Sequence, residues 1–259
     1  KPIKQNLGGM GINHSFALYS VLRAIEPNLV VESGVWKGHS TYIIEKAVPN
    51  AQIISLDPNL ERRIYISKNA QYFSEDFVGI DWMQFDISNS LCFFDDHQNA
   101  YNRLMEMKWW GFTKAIFEDN FPVGEGDCYS LRHVFNETGH KNIQGSQNFA
   151  PKGPKRILRK IEEWVLKKYY WRQSMIRRAN KVDKVGLNQN LKNYFEISPL
   201  ALNDKNFWGG SWSNDYELSS KPIFKNWQDY ESLKNLLSSL ENDDIQNELI
   251  YGYICFAEI

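Results

Sequence analysis

The chain has 259 residues, of which 42% are hydrophobic and 24% are charged, and its formal net charge is −1. This is the composition of a globular protein, and the 14% of aromatic residues excludes a largely disordered chain. The near-neutral charge argues against a dedicated nucleic-acid-binding protein, and three cysteines without a CxxC spacing argue against a disulfide framework or a cysteine-ligated zinc site.

The first half of the chain alternates between helical and strand-like patterns. Apolar residues at helical spacing predict a helix over 14–26, and a second helix is predicted over 38–48, after the short apolar run 29–33. Further elements are then predicted in chain order: strand 52–57, helix 60–73, strand 80–86, strand 91–97, helix 98–110 and strand 114–121. This alternation predicts an α/β fold, a Rossmann-like, mostly parallel sheet with helices on both faces.

The alternation stops after about residue 140. Segment 152–184 carries 12 Lys or Arg against three acids, a local net charge of +9, so the rest of the chain sums to −10. Apolar residues within it recur at steps of three and four, which predicts an amphipathic helix. We expect a single domain 1–259 with a cofactor-binding core over 1–140, a basic helical and loop insertion over 141–222, and a closing helix and strand over 223–259.

Several roles stay open for the basic segment 152–184. The simplest is a solvated helix face; the others are contact with an anionic membrane surface, an acidic glycan or a protein partner. No recognised motif for nucleic acid accompanies it, so no nucleic acid is expected as a partner. The sequence shows no signal peptide and no run of 18 apolar residues, which favours a cytoplasmic protein, at most peripheral to a membrane.

The first predicted strand ends in a turn that contains glycine. The turn and the start of the following helix contain Glu32, Ser33, Gly34, Gly38 and Ser40. Glycines let the backbone turn tightly and let a ligand approach it, while the N–H groups of the next helix point to the same place. Ser40 or Thr41 is the predicted N-cap of that helix.

An acid follows the second predicted strand at the same edge of the sheet. Asp57 stands where a carboxylate can accept hydrogen bonds from both hydroxyls of a ribose. Because ligands bind at the carboxyl ends of strands in open α/β sheets, the pattern predicts a nucleoside site. The glycine spacing differs from GxGxxG, which favours a nucleoside without phosphates. The other interpretation is a tight strand–helix turn that binds nothing.

The segment ESGVWKG at 32–38, followed by Ser40 and Thr41, resembles the first motif of class I S-adenosylmethionine-dependent methyltransferases. With Val-Trp-Lys inside it, the segment is most similar to the macrocin O-methyltransferase and cephalosporin-hydroxylase-like branch, which acts on sugars and other small hydroxylated molecules. The resemblance covers about 1–140 and the final strand.

The resemblance implies a set of contacts with S-adenosylmethionine. It implies that Glu32, Ser33 and Gly34 surround the methionine part and that Asp57 holds the ribose. It also implies that an acid after the third strand meets the adenine amine. Asp86 fits that role if the strand is 80–86, and Asp76 fits it if the strand is 71–75.

Acids also follow the fourth and fifth predicted strands. The candidate metal ligands are Asp95, Asp96, Asp119 and Asn120. Since the carboxyl ends of parallel strands meet at one edge, these hard oxygen ligands predict a site for Mg²⁺, Ca²⁺ or Mn²⁺; the other interpretation is capping and solvated loop ends. A divalent cation there would hold two neighbouring hydroxyls and lower the pKa of one. The branch that the chain resembles has a metal here, usually with two acids where this chain has Asp119-Asn120.

His97 and Asp96 are the candidate catalytic residues, with His97 as the base, although a histidine at a helix start is almost as common in a purely structural role. Glu125 and Asp127 are further candidate ligands in the loop 122–130. Segment 8–15 is a candidate lid, with His14 as a helix cap or a base, and the aromatic loop 207–212 is a candidate sugar-binding surface.

Together these patterns predict an S-adenosylmethionine-dependent O-methyltransferase. Its expected acceptor is a hydroxyl of a sugar or glycan, with a divalent cation such as Mg²⁺ and a histidine base assisting the transfer. Two alternatives stay open: a metal-dependent hydroxylase-like enzyme on the same frame, and a non-catalytic module that binds a glycan or a membrane surface. The sequence leaves the oligomeric state undetermined.

Overall fold

Seven strands form one sheet in the part of the chain that the computed structural model describes, which is residues 6, 8–122, 126, 128–137, 181–202, 221–237, 248–249 and 253–259. The strands are β1 Leu29–Ser33, β2 Gln52–Leu56, β3 Ala70–Phe73, β4 Ser90–Phe94, β5 Lys114–Phe117, β6 Asn193–Glu196 and β7 Cys255–Glu258. Their order across the sheet is β3-β2-β1-β4-β5-β7-β6.

The sheet is mostly parallel. Strands β1 to β5 pair in parallel with their neighbours, whereas β7 pairs antiparallel with both β5 and β6. The chain runs outward from β1 to β3 and then returns to β4 on the other side of β1, so the strand order reverses between β1 and β4. Such a reversal opens a crevice at the carboxyl ends of the strands, where open α/β sheets bind their ligands.

Helices cover both faces of the sheet, as predicted. They are α1 Ile12–Ile25, α2 His39–Ala47, α3 Ala100–Trp110, α4 Leu131–Phe135, α5 Lys181–Asn190 and α6 Glu231–Leu237. Alternate strand side chains belong to two buried clusters: Val30 and Ile53 pack with α1 and α2, and Val31 and Ile54 pack with α3, α4 and α5. None of the described helices has the length and apolar character needed to span a bilayer.

Two predicted elements are wrong. Residues 60–73 are not a helix: a single 3-10 turn, Leu60–Arg62, precedes strand β3 at the edge of the sheet. Residues 80–86 are not a strand, because the indole N–H of Trp82 donates to the carbonyl of Phe77 and its ring packs edge-on against Phe112. Trp82 lies in a 3-10 turn and is buried there. The true strand β3 is only half buried.

The second half of the chain is described in parts. Strand β7 and helix α6 lie where a closing strand and a helix were predicted, whereas β6 was not predicted. The positions 141–180, 203–220, 125 and 127 lie outside the described residues. The predicted insertion and domain division, the basic segment as a whole and the aromatic loop 207–212 therefore stay predictions.

Candidate functional site

The carboxyl ends of β1 to β4 open into a cleft of about 1250 Å³. This exceeds the roughly 300–1,000 Å³ of an ordinary small-molecule site and leaves room for two molecules side by side. Several residues singled out from the sequence line it, together with others that were not: Ser33, Gly34, Trp36, Asp57, Asp76, Asp95, Asp96, His97, Arg103 and Glu106. Gly8 also lines it, which brings the predicted lid segment to the cleft.

Two glycines shape the turn between β1 and α2. Gly34 has φ 98°, and a Cβ on it would lie 2.0 Å from the carbonyl oxygen of Asp95, so a larger residue would push the turn away from β4. Gly38 has φ 87° and is itself the N-cap of α2. The N-cap prediction for Ser40 or Thr41 is therefore wrong, since both residues already lie inside the helix, which begins at His39. Of the two glycines, Gly34 lines the cleft.

Glu32 is buried beneath the turn and is not among the residues that line the cleft. Its Oε2 atom accepts hydrogen bonds from Ser55 Oγ at 2.5 Å and Thr41 Oγ1 at 2.7 Å. Burial raises the pKa of Glu32, against the opposing effect of hydrogen bonds from Ser40, Ser55 and Thr41. Glu32 and Ser40 thus connect β1, β2 and α2. They would affect a bound ligand only indirectly, by positioning the turn.

Asp57 lies at the cleft, and backbone N–H groups donate hydrogen bonds to both oxygens of its carboxylate. Its Oδ2 atom accepts from the N–H groups of Val35 at 3.0 Å and Trp36 at 2.9 Å. Its Oδ1 atom accepts from the N–H of Asn59 at 2.7 Å. A carboxylate oxygen has about two acceptor sites. Oδ1 therefore has capacity for one further donor, such as a ribose hydroxyl.

The prediction for Asp86 is wrong, and Asp76, the alternative named for that role, lies at the cleft. Asp86 is exposed and accepts from Asn28 Nδ2 at 3.2 Å, and Asn28 precedes β1 at the opposite edge of the sheet. Asp76 follows the true third strand and lines the cleft. The error follows directly from the misplaced strand.

Arg103 of α3 is a cleft residue that the sequence reasoning missed. Its buried guanidinium lies between acids, with Nε 3.0 Å from Asp96 Oδ2, Nη1 3.2 Å from Asp76 Oδ2 and Nη1 2.8 Å from Glu106 Oε2. Burial alone would lower the pKa of Arg103, but the charges of Asp96, Asp76 and Glu106 outweigh it and raise the pKa. The available signal was an arginine on the inner face of a predicted helix, beside Leu104.

Asp96 is consequently not placed as a metal ligand or as a catalytic residue. Its Oδ2 atom accepts from Ser33 Oγ at 2.7 Å and from Arg103, and its Oδ1 atom accepts from the N–H of Gln98 at 3.1 Å. Asp96 instead joins β1, β4 and α3.

Asp95 and Asp119 form the candidate metal centre, and His97 lies beside them. One ligand atom from each lies within 4.8 Å of the other two, and His97 Nδ1 lies 3.1 Å from Asp119 Oδ2. Burial and the nearby Glu118 carboxylate raise the pKa of Asp95, and burial raises the pKa of Asp119 despite the His97 ring. Two carboxyls that disfavour ionisation beside each other, one buried and one partly buried, are suited to a cation, which would offset both penalties.

Glu118 and His14 stand behind this centre, and the contact between them was not predicted. His14 lies in the first turn of α1, and its Nδ1 atom contacts Glu118 Oε1. Burial would raise the pKa of Glu118, but His14 outweighs it and lowers the pKa to about 2. Gly11 is the N-cap of α1, so His14 is an internal ion-pair partner and not the predicted cap.

Asn120 is not a member of the metal centre. Its side chain donates to Tyr194 Oη at 2.7 Å and accepts from the N–H of Arg132 at 3.2 Å. The prediction that Asn120 is a ligand is corrected because β6, which the sequence did not reveal, provides the Tyr194 partner.

No protein-family model matches the chain, and no curated protein matches it. The chain is similar to several solved structures. A structure described as cmcI-N160 SAH is 18% identical over 48% of this chain and 66% of that one, with a TM-score of 0.38. A methyltransferase from Geobacter sulfurreducens is 20% identical over 46% and 64%, with a TM-score of 0.37.

A third similar structure is the O-methyltransferase TomG from Streptomyces achromogenes in complex with SAM. It is 10% identical over 72% of this chain and 74% of that one, with a TM-score of 0.37. The chain spans 51% to 66% of the length of three CmcI structures. The Rossmann-like fold is established by the strand order and pairing of this chain itself.

Proposed function

We propose that this protein is an S-adenosylmethionine-dependent O-methyltransferase that methylates a hydroxyl of a sugar or glycan-type acceptor with the help of a divalent cation. One observation carries the proposal. A single cleft joins the glycine turn and Asp57 at one end to Asp95 and His97 at the other, and a ligand atom of Asp119 lies within 4.8 Å of both. The resemblance of residues 32–38 to the methyltransferase motif supports the same assignment.

The residues at the turn fit the cofactor. S-adenosylmethionine, when bound, supplies a methyl group activated by a sulfonium. Gly34 presents backbone without a side chain, Asp57 Oδ1 has capacity for one ribose hydroxyl, and Asp76 is the acid for the adenine amine. Acids also outnumber bases along the cleft lining, which favours a positively charged ligand.

The residues at the other end fit a divalent cation. A divalent cation, when bound, supplies a Lewis acid that stabilises a deprotonated hydroxyl. The carboxylates of Asp95 and Asp119 are the hard oxygen ligands for it, and the charged Glu118 behind them adds to the negative field. The pKa values of both carboxyls are raised in the absence of such a charge, so the chemistry of the donor set agrees with a cation.

His97 is the proposed base. Its side chain is about half exposed, at 49%, so it meets both the cleft and the buried Asp119. Because Nδ1 lies 3.1 Å from Asp119 Oδ2, Nε2 is the ring nitrogen proposed to take the acceptor proton. The aligned approach of that acceptor oxygen to the methyl group depends on positioning, which the sheet edge provides.

The proposal is tested by incubating the purified protein with methyl-labelled S-adenosylmethionine and a panel of hydroxylated sugars, with Mg²⁺ or Mn²⁺ and with a chelator. We expect label in a methyl ether and loss of transfer on chelation. No cofactor binding and no transfer would overturn the methyltransferase assignment. Bound iron with a hydroxylated product would establish the hydroxylase-like alternative instead.

A further inference from the structure

Trp36 has an unusual backbone conformation at the edge of the cleft. Its φ is 49°, in the left-handed region that is unfavourable for bulky residues. Five non-glycine residues in the described part of the chain have a positive φ, and only Trp36 and His97 among them line the cleft. Strain of this kind persists only where the surroundings impose it, and it concentrates at functional sites.

Hydrogen bonds hold the strained turn in place. Asp57 Oδ2 accepts from the N–H groups of Val35 and Trp36, at 3.0 and 2.9 Å, and the N–H of Gly38 donates to the Val35 carbonyl at 2.8 Å. The carboxylate proposed to bind the ribose therefore also fixes the position of Trp36.

The indole does not serve the hydrophobic core. Trp36 is 37% exposed and belongs to none of the buried clusters of the described residues, although Trp82 and other large aromatics do. Its ring faces cations: the Arg62 guanidinium carbon lies 5.0 Å from the ring centroid and Lys37 Nζ lies 5.9 Å from it. Arg62 lines the cleft as well. Trp36 is thus a strained residue whose large ring contributes to the wall of the cleft.

We propose that Trp36 is a cofactor-binding residue, whose indole is the wall against which the nucleoside of the cofactor packs while Asp57 Oδ1 accepts a ribose hydroxyl. This inference rests on the proposed function. Aromatic faces stack on every nucleobase, and an indole held by its backbone loses little freedom on binding. On this account the backbone strain at Trp36 lowers the stability of the fold, and its benefit is the packing of the indole against the bound ligand.

The proposal makes stability and binding move in opposite directions in one variant. Glycine has no penalty at a positive φ, so Trp36→Gly should raise the melting temperature by about 2–4 °C. The same change should weaken binding of S-adenosylhomocysteine and of adenosine by about tenfold or more. Trp36→Phe keeps a ring and should lose only about threefold. Calorimetric titration and thermal melts on the full chain measure both effects.

Glu26 provides the matched control. It is the C-cap of α1 with φ 48°, and it does not line the cleft. Glu26→Gly should therefore stabilise the protein to a similar degree and leave both affinities unchanged.

Three results would overturn the role of Trp36: unchanged affinities in Trp36→Gly, a lower melting temperature in that variant, or weaker binding of S-adenosylhomocysteine with adenosine unaffected. The third would place the indole against the amino-acid part of the ligand. Failure of the unmodified protein to bind either compound would instead refute the proposed function itself.

Discussion

The two ends of the cleft differ in how their carboxylates are compensated. At the turn end, defined by Gly34, Trp36 and Asp57, backbone N–H groups already satisfy most of the acceptor capacity of the carboxylate. At the metal end, the buried Asp119 and the partly buried Asp95 lie beside Glu118, and desolvation raises the pKa of both aspartates. The turn end is therefore formed before a ligand arrives, whereas the metal end is electrostatically incomplete without a cation.

The largest expected effect is on turnover, at the metal end. Asparagine tolerates the left-handed conformation that His97 adopts, at φ 52°, but cannot take a proton. His97→Asn should therefore lower the methyl-transfer rate by about 10²–10⁴-fold, the usual contribution of a general base. Affinity for S-adenosylhomocysteine and for Mn²⁺ should stay within about threefold of the unmodified protein, since the carboxylates remain. Loss of Mn²⁺ binding in calorimetry would show that His97 is a ligand and not the base.

The next effect concerns the cation itself. Asp119→Asn removes a buried negative charge from the centre, and Mn²⁺ affinity should fall by about 100-fold, while S-adenosylhomocysteine binding changes little. Asp86→Asn is the matched control, because Asp86 lies exposed beside Asn28, remote from the cleft lining. Equal Mn²⁺ affinity in the two variants would refute the metal assignment.

A smaller effect is expected at the turn end. Asp57→Asn keeps the shape of the side chain but removes its negative charge. That charge strengthens the hydrogen bonds from the N–H groups of Val35, Trp36 and Asn59. S-adenosylhomocysteine affinity should fall by about tenfold, with Mn²⁺ affinity unchanged. If the variant lost both affinities equally, the two ends of the cleft would not be independent.

The smallest effect is a pH dependence of stability at Glu32. Burial raises the pKa of Glu32 above its ordinary value of 4.5, so its contribution is present below that pH and is lost as pH rises through the folded-state pKa. Glu32→Gln cannot ionise. The melting temperature of the variant relative to the unmodified protein should therefore increase between about pH 4 and pH 8. A melting-temperature difference that does not change with pH would contradict a raised pKa for Glu32.

Glu118 serves as the comparison, because its pKa is shifted in the opposite direction. The pKa of Glu118 is lowered to about 2, so its contribution is present above its ordinary pKa and is lost as pH falls towards 2. Glu118→Gln should be least stable relative to the unmodified protein at neutral pH, and the difference should shrink in acid.

The sequence predicted what depends on local pattern and on strand topology. The apolar strands β1, β2, β4 and β5 alternate with helices, and the ends of β4 and β5 necessarily share an edge. For that reason Asp95 and Asp119 could be brought together from the sequence alone. Strand β3 lacked such a signal because it is an edge strand, half buried, and the aromatic run at 80–86 took its place in the prediction.

Long-range partners could not be predicted. His14 contacts Glu118, 104 positions away, and the Asn120 side chain is held by Tyr194, 74 positions away on an unpredicted strand. Arg103 engages Asp96, so an acid that was expected to bind metal is a structural one. In each case the residue type was visible, but the partner that decides its role comes from tertiary packing.

Calorimetric titration of the full chain with S-adenosylmethionine tests the proposed function most directly. Binding of one molecule per chain, weakened by Asp57→Asn and unaffected by Asp86→Asn, is the predicted result. The absence of binding to the unmodified protein, with and without Mn²⁺, would contradict the assignment of the cleft to this cofactor.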